Sequence, residues 1–583
     1  WRWFSVLSFW WLLRLLWPRR ERFAEVAALI FALYPGFSQQ PIALTYSLYW
    51  MYYSFFLASL SLTIIALRSK RRGTWLTVAA LALSALTMLS TEYFYGLELL
   101  RPLIIWIGLG NKTLTAQERR NKTATLWSPY FLFVIIAFAW RFVLANQPGN
   151  LYSTGLVTSF LSNPIATFAN QIAIMLGDFW EAGLAAWTRV AAPLNALELS
   201  SKVTWLYAIV VLAAAGLVAL ALKSPKETEF KERREVFWIG TAGLLLGGLS
   251  FWIAELPLRL TFAWDRFTIP MMFGVAILFA LAFDIFKVNP KAKVIFVAAL
   301  LGLSTGYHFF NANTYREEWE TQQNFFKQLA WRAPYIEPAT ALLSVEPPLE
   351  HYTDNSLTAP LNWIYSREQI TDTIPYYMAY LDLRADAELL GAGDVAIDKV
   401  YRSDHYVGNN KSIIIFYYAP PACLRILDPE LDTLFPKLPE ILAEQAPRSN
   451  LARISAQPDI ANNPQFPFWN AKPENSWCYY FEKADLARQL GNWRQVAEYG
   501  DIAFKLDDSP NHPAERTPFI EGYAHVGNWD RAIQLTEDAL EINPLMQPML
   551  CKLWERIALE TTESAERTAA LNQVQGNLSC PAP

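Results

Sequence analysis

Ten apolar stretches, divided by loops that alternate between many and few basic residues, constrain this chain more than any other feature. They lie near 1–17, 22–37, 47–67, 74–90, 92–109, 128–145, 203–222, 236–254, 268–287 and 293–311. Most approach the ~20 residues that cross the hydrocarbon core of a bilayer, the second being short. If the stretches alternate in direction, five loops on one side hold 19 Lys and Arg residues, including the pairs Arg71–Arg72, Arg119–Arg120 and Arg233–Arg234. The opposite loops, as far as Arg266, hold only Arg189, Lys202, Arg259 and Arg266. Such a split places the basic loops in the cytoplasm and supports the span count as well as the orientation.

Composition agrees. Charged residues are 17% of the 583, below the roughly 25% of soluble proteins, and aromatics reach 15%. A mean hydropathy of only +0.14 still requires a polar part, and a net charge of −4 does not favour nucleic acid as a partner. Everything after Asn311 is then expected outside the cytoplasm, in the manner of a plasma-membrane protein. Residue 1 also begins outside, which implies an odd number of preceding spans, most simply one. On that reading the chain lacks one helix and the first external loop. The long outer loop 146–203 carries the apolar run 163–194, broken by Asp178, Glu181 and Arg189, and reads as interfacial amphipathic helices.

From about 312 the sequence turns polar and mixed. ATALLSVE (339–346) and KSIIIFYYA (411–419) read as buried strands, and TIPYYMAYLDLRADAELLG between them reads as helix. This gives an α/β domain over 312–470, closed by the proline-rich linker NNPQFPFWNAKPENSW. Two Gly-Asn-Trp triplets follow at Gly491 and Gly527, 36 residues apart, in segments that echo each other. Small residues recur at Ala503, Ala532 and Ala539, with Pro544 closing the second copy, and another helix is expected near 546–562. All four cysteines fall late, at 423, 478, 551 and 580. One or two disulfides, or four buried thiols, are equally open readings, and no pairing follows from spacing.

Ionisable residues in or against spans cost roughly 2.5–3.5 kcal/mol each at a helix centre, so they mark cavities or partners. On the predicted outer side these are Glu92, Arg141, Glu255, Arg259, Asp265 and Arg266. Glu98 and Arg101 lie deeper, expected in one helix with Glu92, at an i, i+3 spacing that lets them pair. Each residue has a structural reading beside the functional one. Arg141 can snorkel, Glu98 and Arg101 can neutralise each other, and Asp265 can be a helix-start or rim charge. Together they put carboxylates able to take a proton, and guanidinium groups able to hold a phosphate, at one membrane surface. No P-loop, GxGxxG, HExxH or CxxC pattern occurs, and no cofactor is evident; nothing demands a divalent metal.

The order of motifs resembles the GT-C membrane glycosyltransferases, particularly the O-mannosyltransferase-like branch with C-terminal tetratricopeptide repeats. The likeness covers roughly 1–311. It rests on the run from EVAALIFALYPGFSQQP to LSTEYFYGLELL, with Ser90-Thr91-Glu92 at a Ser-Lys-Glu-like motif where Thr91 replaces Lys. It rests also on Arg266, Phe267 and Pro270 at a late Arg-aromatic-x-x-Pro segment. The 491 and 527 segments resemble tetratricopeptide repeats, whose period is about 34. The resemblance implies sugar transfer from a polyprenyl-phosphate-linked donor to a glycan, lipid or protein acceptor outside the cytoplasm. Glu92 would be a second acidic, catalytic residue of the site and Arg266 a donor-phosphate contact, with Arg141, Glu255, Arg259 and Asp265 as neighbours of the site. The repeats would offer a surface for a protein partner. The principal catalytic acid would sit in the first external loop, which the orientation places before residue 1. An O-antigen ligase or polymerase-like enzyme, and a membrane-anchored repeat scaffold without catalysis, are the alternatives. The expected architecture is a polytopic α-helical membrane protein of about ten spans, with an outer α/β domain (312–470) and helical repeats (471–583).

Overall fold

The computed structural model describes residues 1–69, 71–110, 114–145, 155–222, 232–286, 289–353, 356–366, 373–382, 387–391, 393–401, 404–457 and 475–580. The chain forms two compact units, Trp1–Tyr315 and Arg316–Pro583.

The first unit is helical: α1 (Arg2–Leu16), α2 (Glu21–Ala32), α3 (Ala43–Arg68), α4 (Gly73–Ser90), α5 (Arg101–Gly108), α6 (Ala116–Ala145), α7 (Pro164–Trp180), α8 (Lys202–Ala221), α9 (Arg233–Ile253), α10 (Thr268–Ile285) and the start of α11 (Pro290–Arg332). Among the described residues seven helices, α3, α4, α6 and α8–α11, are long and apolar enough to cross a membrane. Three expected spans fall short of that standard. α1 and α2 have 15 and 12 residues and lie in the core of this unit. The 92–109 stretch is broken into a 3₁₀ turn at Glu92–Phe94, one turn at Tyr95–Glu98, and α5. Pro102 explains the break, because it stands in the first turn of α5, where its missing N–H is harmless but the preceding helix cannot continue through it. Glu92 and Arg101 therefore do not share a helix, as their spacing had suggested.

The Glu98–Arg101 pair does form, fully buried, with Arg101 NH2 2.9 Å from Glu98 Oε2. Arg101 also donates to Thr63 Oγ1 at 2.7 Å and Ser59 Oγ at 3.0 Å, and its guanidinium lies 3.9 Å from the Tyr130 ring centre. With its donors taken, this pair ties α3, α5 and α6 together. α9 and α10 meet backbone to backbone: a Cβ on Gly274 would stand 2.2 Å from the Leu244 nitrogen and 2.5 Å from the Gly240 oxygen. Small residues allow this approach where apolar burial alone drives little association. The contact fixes the start of α10, and with it the turn that carries Asp265 and Arg266.

In the second unit a four-stranded sheet runs β3-β1-β6-β7, from β1 (Thr340–Ser344), β3 (Tyr376–Tyr380), β6 (Ile413–Tyr417) and β7 (Arg425–Ile426). β1 is parallel to both β3 and β6, and β7 closes the sheet antiparallel. A three-stranded sheet holds β2 (Thr373–Ile374), β4 (Ala396–Tyr401) and β5 (Asp404–Asn409). The two strands expected from ATALLSVE and KSIIIFYYA are β1 and β6. The helix expected from TIPYYMAY is instead strand β3, and the reason is burial on both faces. Leu342, Met378 and Ile414 join one apolar core, while Leu343, Tyr377 and Ile415 join another. A strand covered on both sides reads as a continuous apolar run without alternation.

Helices complete this unit: α12 (Trp477–Gln489), α13 (Trp493–Ala503), α14 (Thr517–His525), α15 (Trp529–Ile542), α16 (Gln547–Glu560) and α17 (Ala565–Leu578). The two Gly-Asn-Trp triplets make the same turn. Gly491 and Gly527 have φ of +71° and +79°, conformations that favour glycine. Asn492 and Asn528 then cap the next helix, each accepting at 3.4 Å from the N–H three residues on. Disulfides join Cys423 to Cys478 and Cys551 to Cys580, so no cysteine is free. They fit an oxidising, extracytoplasmic setting. The proposed linker falls, but for residues 475–477, outside the described residues.

Candidate functional site

The turn Asp265–Phe267, a single 3₁₀ turn ahead of α10, organises the predicted outer face of the first unit. Asp265 is fully buried. Its Oδ2 accepts from the Ser38 N–H at 2.9 Å, the Ser38 hydroxyl at 2.5 Å and Arg189 NH1 at 3.1 Å; its Oδ1 accepts from Gln39 Nε2 at 2.5 Å. Arg189 also donates to the Gly36 carbonyl at 3.2 Å, and Asn311 Nδ2 to the Ser38 carbonyl at 2.6 Å. One carboxylate thus gathers the α2–α3 loop, the amphipathic 155–196 segment and α10, and Asn311 adds α11. A buried carboxylate with one cationic partner needs further hydrogen bonds to offset desolvation, and Asp265 has three. This replaces the reading of Asp265 as a rim charge.

Arg266 stands on the next residue, half-buried, with its guanidinium 5.2 Å from the Phe267 ring centre. It lies within charge and hydrogen-bond reach of the Tyr46 hydroxyl, and within charge reach of Tyr49 and Tyr93. Those tyrosines form a wall: ring centres of Tyr46 and Tyr49 are 5.6 Å apart, and of Tyr49 and Tyr93 4.6 Å. Tyr46 donates to Gln39 Oε1, which links the wall back to Asp265. Glu92 begins its 3₁₀ turn behind Thr91, whose side chain accepts from the Tyr93 N–H. Its carboxylate meets Arg141 NH2 at 2.8 Å, both side chains being partly exposed. Tyr49 is within charge reach of Glu92, Arg141 and Arg266 together.

Four of the six residues singled out in the sequence are therefore brought to one region, Asp265 as its buried support. Glu255 and Arg259 take no part in these contacts. Glu255 is exposed at a φ of +56°, and exposed Arg259 has its guanidinium 5.8 Å from the Trp264 ring centre. Sequence reasoning missed Ser38, Gln39, Tyr46, Tyr49, Tyr93 and Asn311, and treated Arg189 as an outer-loop charge and a break in an apolar run, without a partner. The aromatic run Tyr93-Phe94-Tyr95 directly after Glu92 was the one local signal. Chemically, the region offers a carboxylate paired to an Arg, a second Arg and phenolic hydroxyls on an aromatic wall. Among the described residues, groupings of three His and carboxylate groups able to hold a metal lie in the second unit.

The fold and this region define a class: a mostly helical, multi-pass membrane protein with a disulfide-bonded mixed α/β part and C-terminal helices. No protein family, curated protein or solved structure matches the chain.

Proposed function

We propose that this chain transfers a sugar from a polyprenyl-phosphate carrier to an acceptor at the outer surface of the plasma membrane. The observation that carries the reading is the rigid mount of Arg266: its neighbour Asp265 is locked by four donors, and the guanidinium stands at a tyrosine wall shared with Glu92 and Arg141. In the reaction, an acceptor hydroxyl attacks the anomeric carbon and the bond from that carbon to the phosphate oxygen breaks. The lipid phosphate leaves with the electron pair, and the hydroxyl proton passes to a base. Arg266 stabilises the charge that grows on the phosphate, and Arg–phosphate pairing suits its planar fork. Glu92 is an acidic residue of the site. Arg141 pairs with it and orients it. The identity of the general base is left unassigned. The helical hairpins of 477–578 serve, on the same reading, as a tetratricopeptide-like surface for a protein partner.

The test is turnover of a polyprenyl-phosphate sugar by membranes carrying the chain. Arg266→Ala is expected to lower kcat by about 10²–10³-fold, the usual loss of one positioned electrostatic donor, with insertion unchanged. Asp265→Asn is expected to lower it also, through the mount. Parental turnover by Arg266→Ala sinks the assignment.

A further inference from the structure

The second unit contains a second chemistry-bearing cluster, remote in sequence from Glu92 and Arg266. Glu521 and His525 are one turn apart on α14, and Glu560 ends α16. Their ligand atoms all lie within 4.8 Å of one another. The His525 side chain is 8% exposed, its Nε2 has no hydrogen-bond partner, and the nearest carboxylate oxygen, Glu560 Oε2, is 3.5 Å away. Trp493 stacks on the ring face to face, centres 3.7 Å apart and planes within 6°, and holds the plane of the imidazole.

We propose that Glu521, His525 and Glu560 bind a divalent transition-metal ion of the zinc type. The nitrogen-to-oxygen gap is the first argument. It is too long for a good hydrogen bond. Zinc bonds of about 2.0–2.2 Å at a tetrahedral angle place neighbouring donor atoms about 3.3–3.5 Å apart, the separation of this one pair, and the Glu521 oxygen lies within 4.8 Å of both. Donor chemistry is the second: one imidazole nitrogen with two carboxylates selects a borderline transition ion over calcium or magnesium, which prefer all-oxygen shells. Glu521 already accepts from Arg556, at 2.8 and 2.9 Å, and each of its oxygens keeps a second lone pair for a metal. The Arg556 charge and the count of three protein ligands make this site weaker than a closed four-ligand one. With every cysteine in a disulfide, no thiolate competes. The bound ion clips α14 to α16, joining the second helical hairpin to the third.

The other grouping, Glu318, Glu350 and His351, differs in the feature that matters. There His351 Nδ1 lies 3.0 Å from both Glu318 oxygens, so its imidazole is already satisfied.

The experiment uses the full chain in detergent, stripped with a chelator, and titrated with Zn²⁺ alone by calorimetry and with Co²⁺ by visible absorption. One saturable Zn²⁺ site is expected, with tetrahedral Co²⁺ bands that Zn²⁺ displaces. Glu560→Gln changes a half-exposed side chain at a helix end, and His525→Phe keeps the stack on Trp493. Each is expected to weaken Zn²⁺ binding at least ~10-fold, since even supporting residues around a metal typically contribute that much. Absence of saturable binding overturns the proposal. So does parental affinity in both variants, or weakening by His351→Gln in their place.

Discussion

Asp428→Asn is the sharpest test of how the second unit holds together. Asp428 is 4% exposed and sits just after β7. Its Oδ2 accepts from Arg488 NH1 and Arg556 NH1, each at 2.9 Å, and its Oδ1 from the N–H groups of Glu430 and Leu431. Arg488 comes from α12 and Arg556 from α16, so one carboxylate binds the sheet to two of the C-terminal helices. The amide introduced by this substitution would keep the shape and the backbone bonds, but would remove the charge facing both guanidinium groups. Two charge-assisted bonds at about 1.5–3 kcal/mol each set the upper limit of the loss. Each Arg keeps another carboxylate, Asp485 for Arg488 and Glu521 for Arg556, at 2.8 Å. A net cost of about 3 kcal/mol follows, below the cost of a fully orphaned buried charge. Hydrogen exchange by mass spectrometry on the full chain is the assay. Slow amides in 425–434 and 485–491 should open about 10²-fold more often, and exchange within about threefold of the parent would refute the reasoning. A second readout comes from pH. Burial works to raise the Asp428 carboxyl, but Arg488 and Arg556 more than offset it and hold the group well below the usual carboxylate range. Its contribution is full above the ordinary value of about 3.9 and is lost as pH falls toward the folded value. The gap between parent and variant should therefore stay constant from about pH 8 to 5 and close only below about pH 4.

Removing the Cys551–Cys580 bridge, as the double alanine variant, frees a closed loop of 29 residues of sequence separation and should cost up to about 3–4 kcal/mol. Faster exchange confined to α16 and α17 is the expected readout, and unchanged exchange there refutes it. At the turn before α14, burial, with Arg425 and Lys437 nearby, pushes the His512 pKa down to about 4, and its Nδ1 accepts from the Ala514 N–H at 3.2 Å. That contribution is full above the ordinary value of about 6.5 and lost as pH falls toward about 4, so amides of 513–516 should lose protection across that window. His512→Asn should flatten the change, and an equal pH dependence in the variant would exclude His512 as its source. Because all four native cysteines are paired, one cysteine added in 226–231 supplies the only free thiol. It should resist an impermeant thiol reagent in intact cells, whereas labelling there reverses the orientation.

The parts legible in the sequence were those encoded over short distances. Helix length and loop charge revealed the membrane unit, and two Gly-Asn-Trp triplets revealed two turns of one geometry. What failed was encoded over long distances. β3 reads as helix because its second apolar face is covered by Tyr406 and Leu442, residues far along the chain. Asp265 reads as a rim charge because its partners stand 227, 226 and 76 residues away. Ion pairs from Asp428 to Arg488 and Arg556 cross the expected boundary at about 470, again over long sequence distances. Pairing of the cysteines stays open in the sequence for a like reason, since it depends on how α12 meets the loop before β7 and on how α16 and α17 pack.

Asp265 and Arg266 show why adjacent charges carry different roles. A 3₁₀ turn has about three residues per turn, so neighbouring side chains diverge by about 120°. With α10 pressed backbone to backbone on α9, the turn cannot rotate to share its two charges with one surface. One side chain must enter the protein and the other must face the tyrosine wall. The carboxylate goes inward because hydroxyl, amide, backbone and guanidinium donors converge there, and the guanidinium is left at the wall. The buried residue thus sets the direction of the exposed one. A carboxylate in this position supports a site through geometry, without needing to touch what binds there.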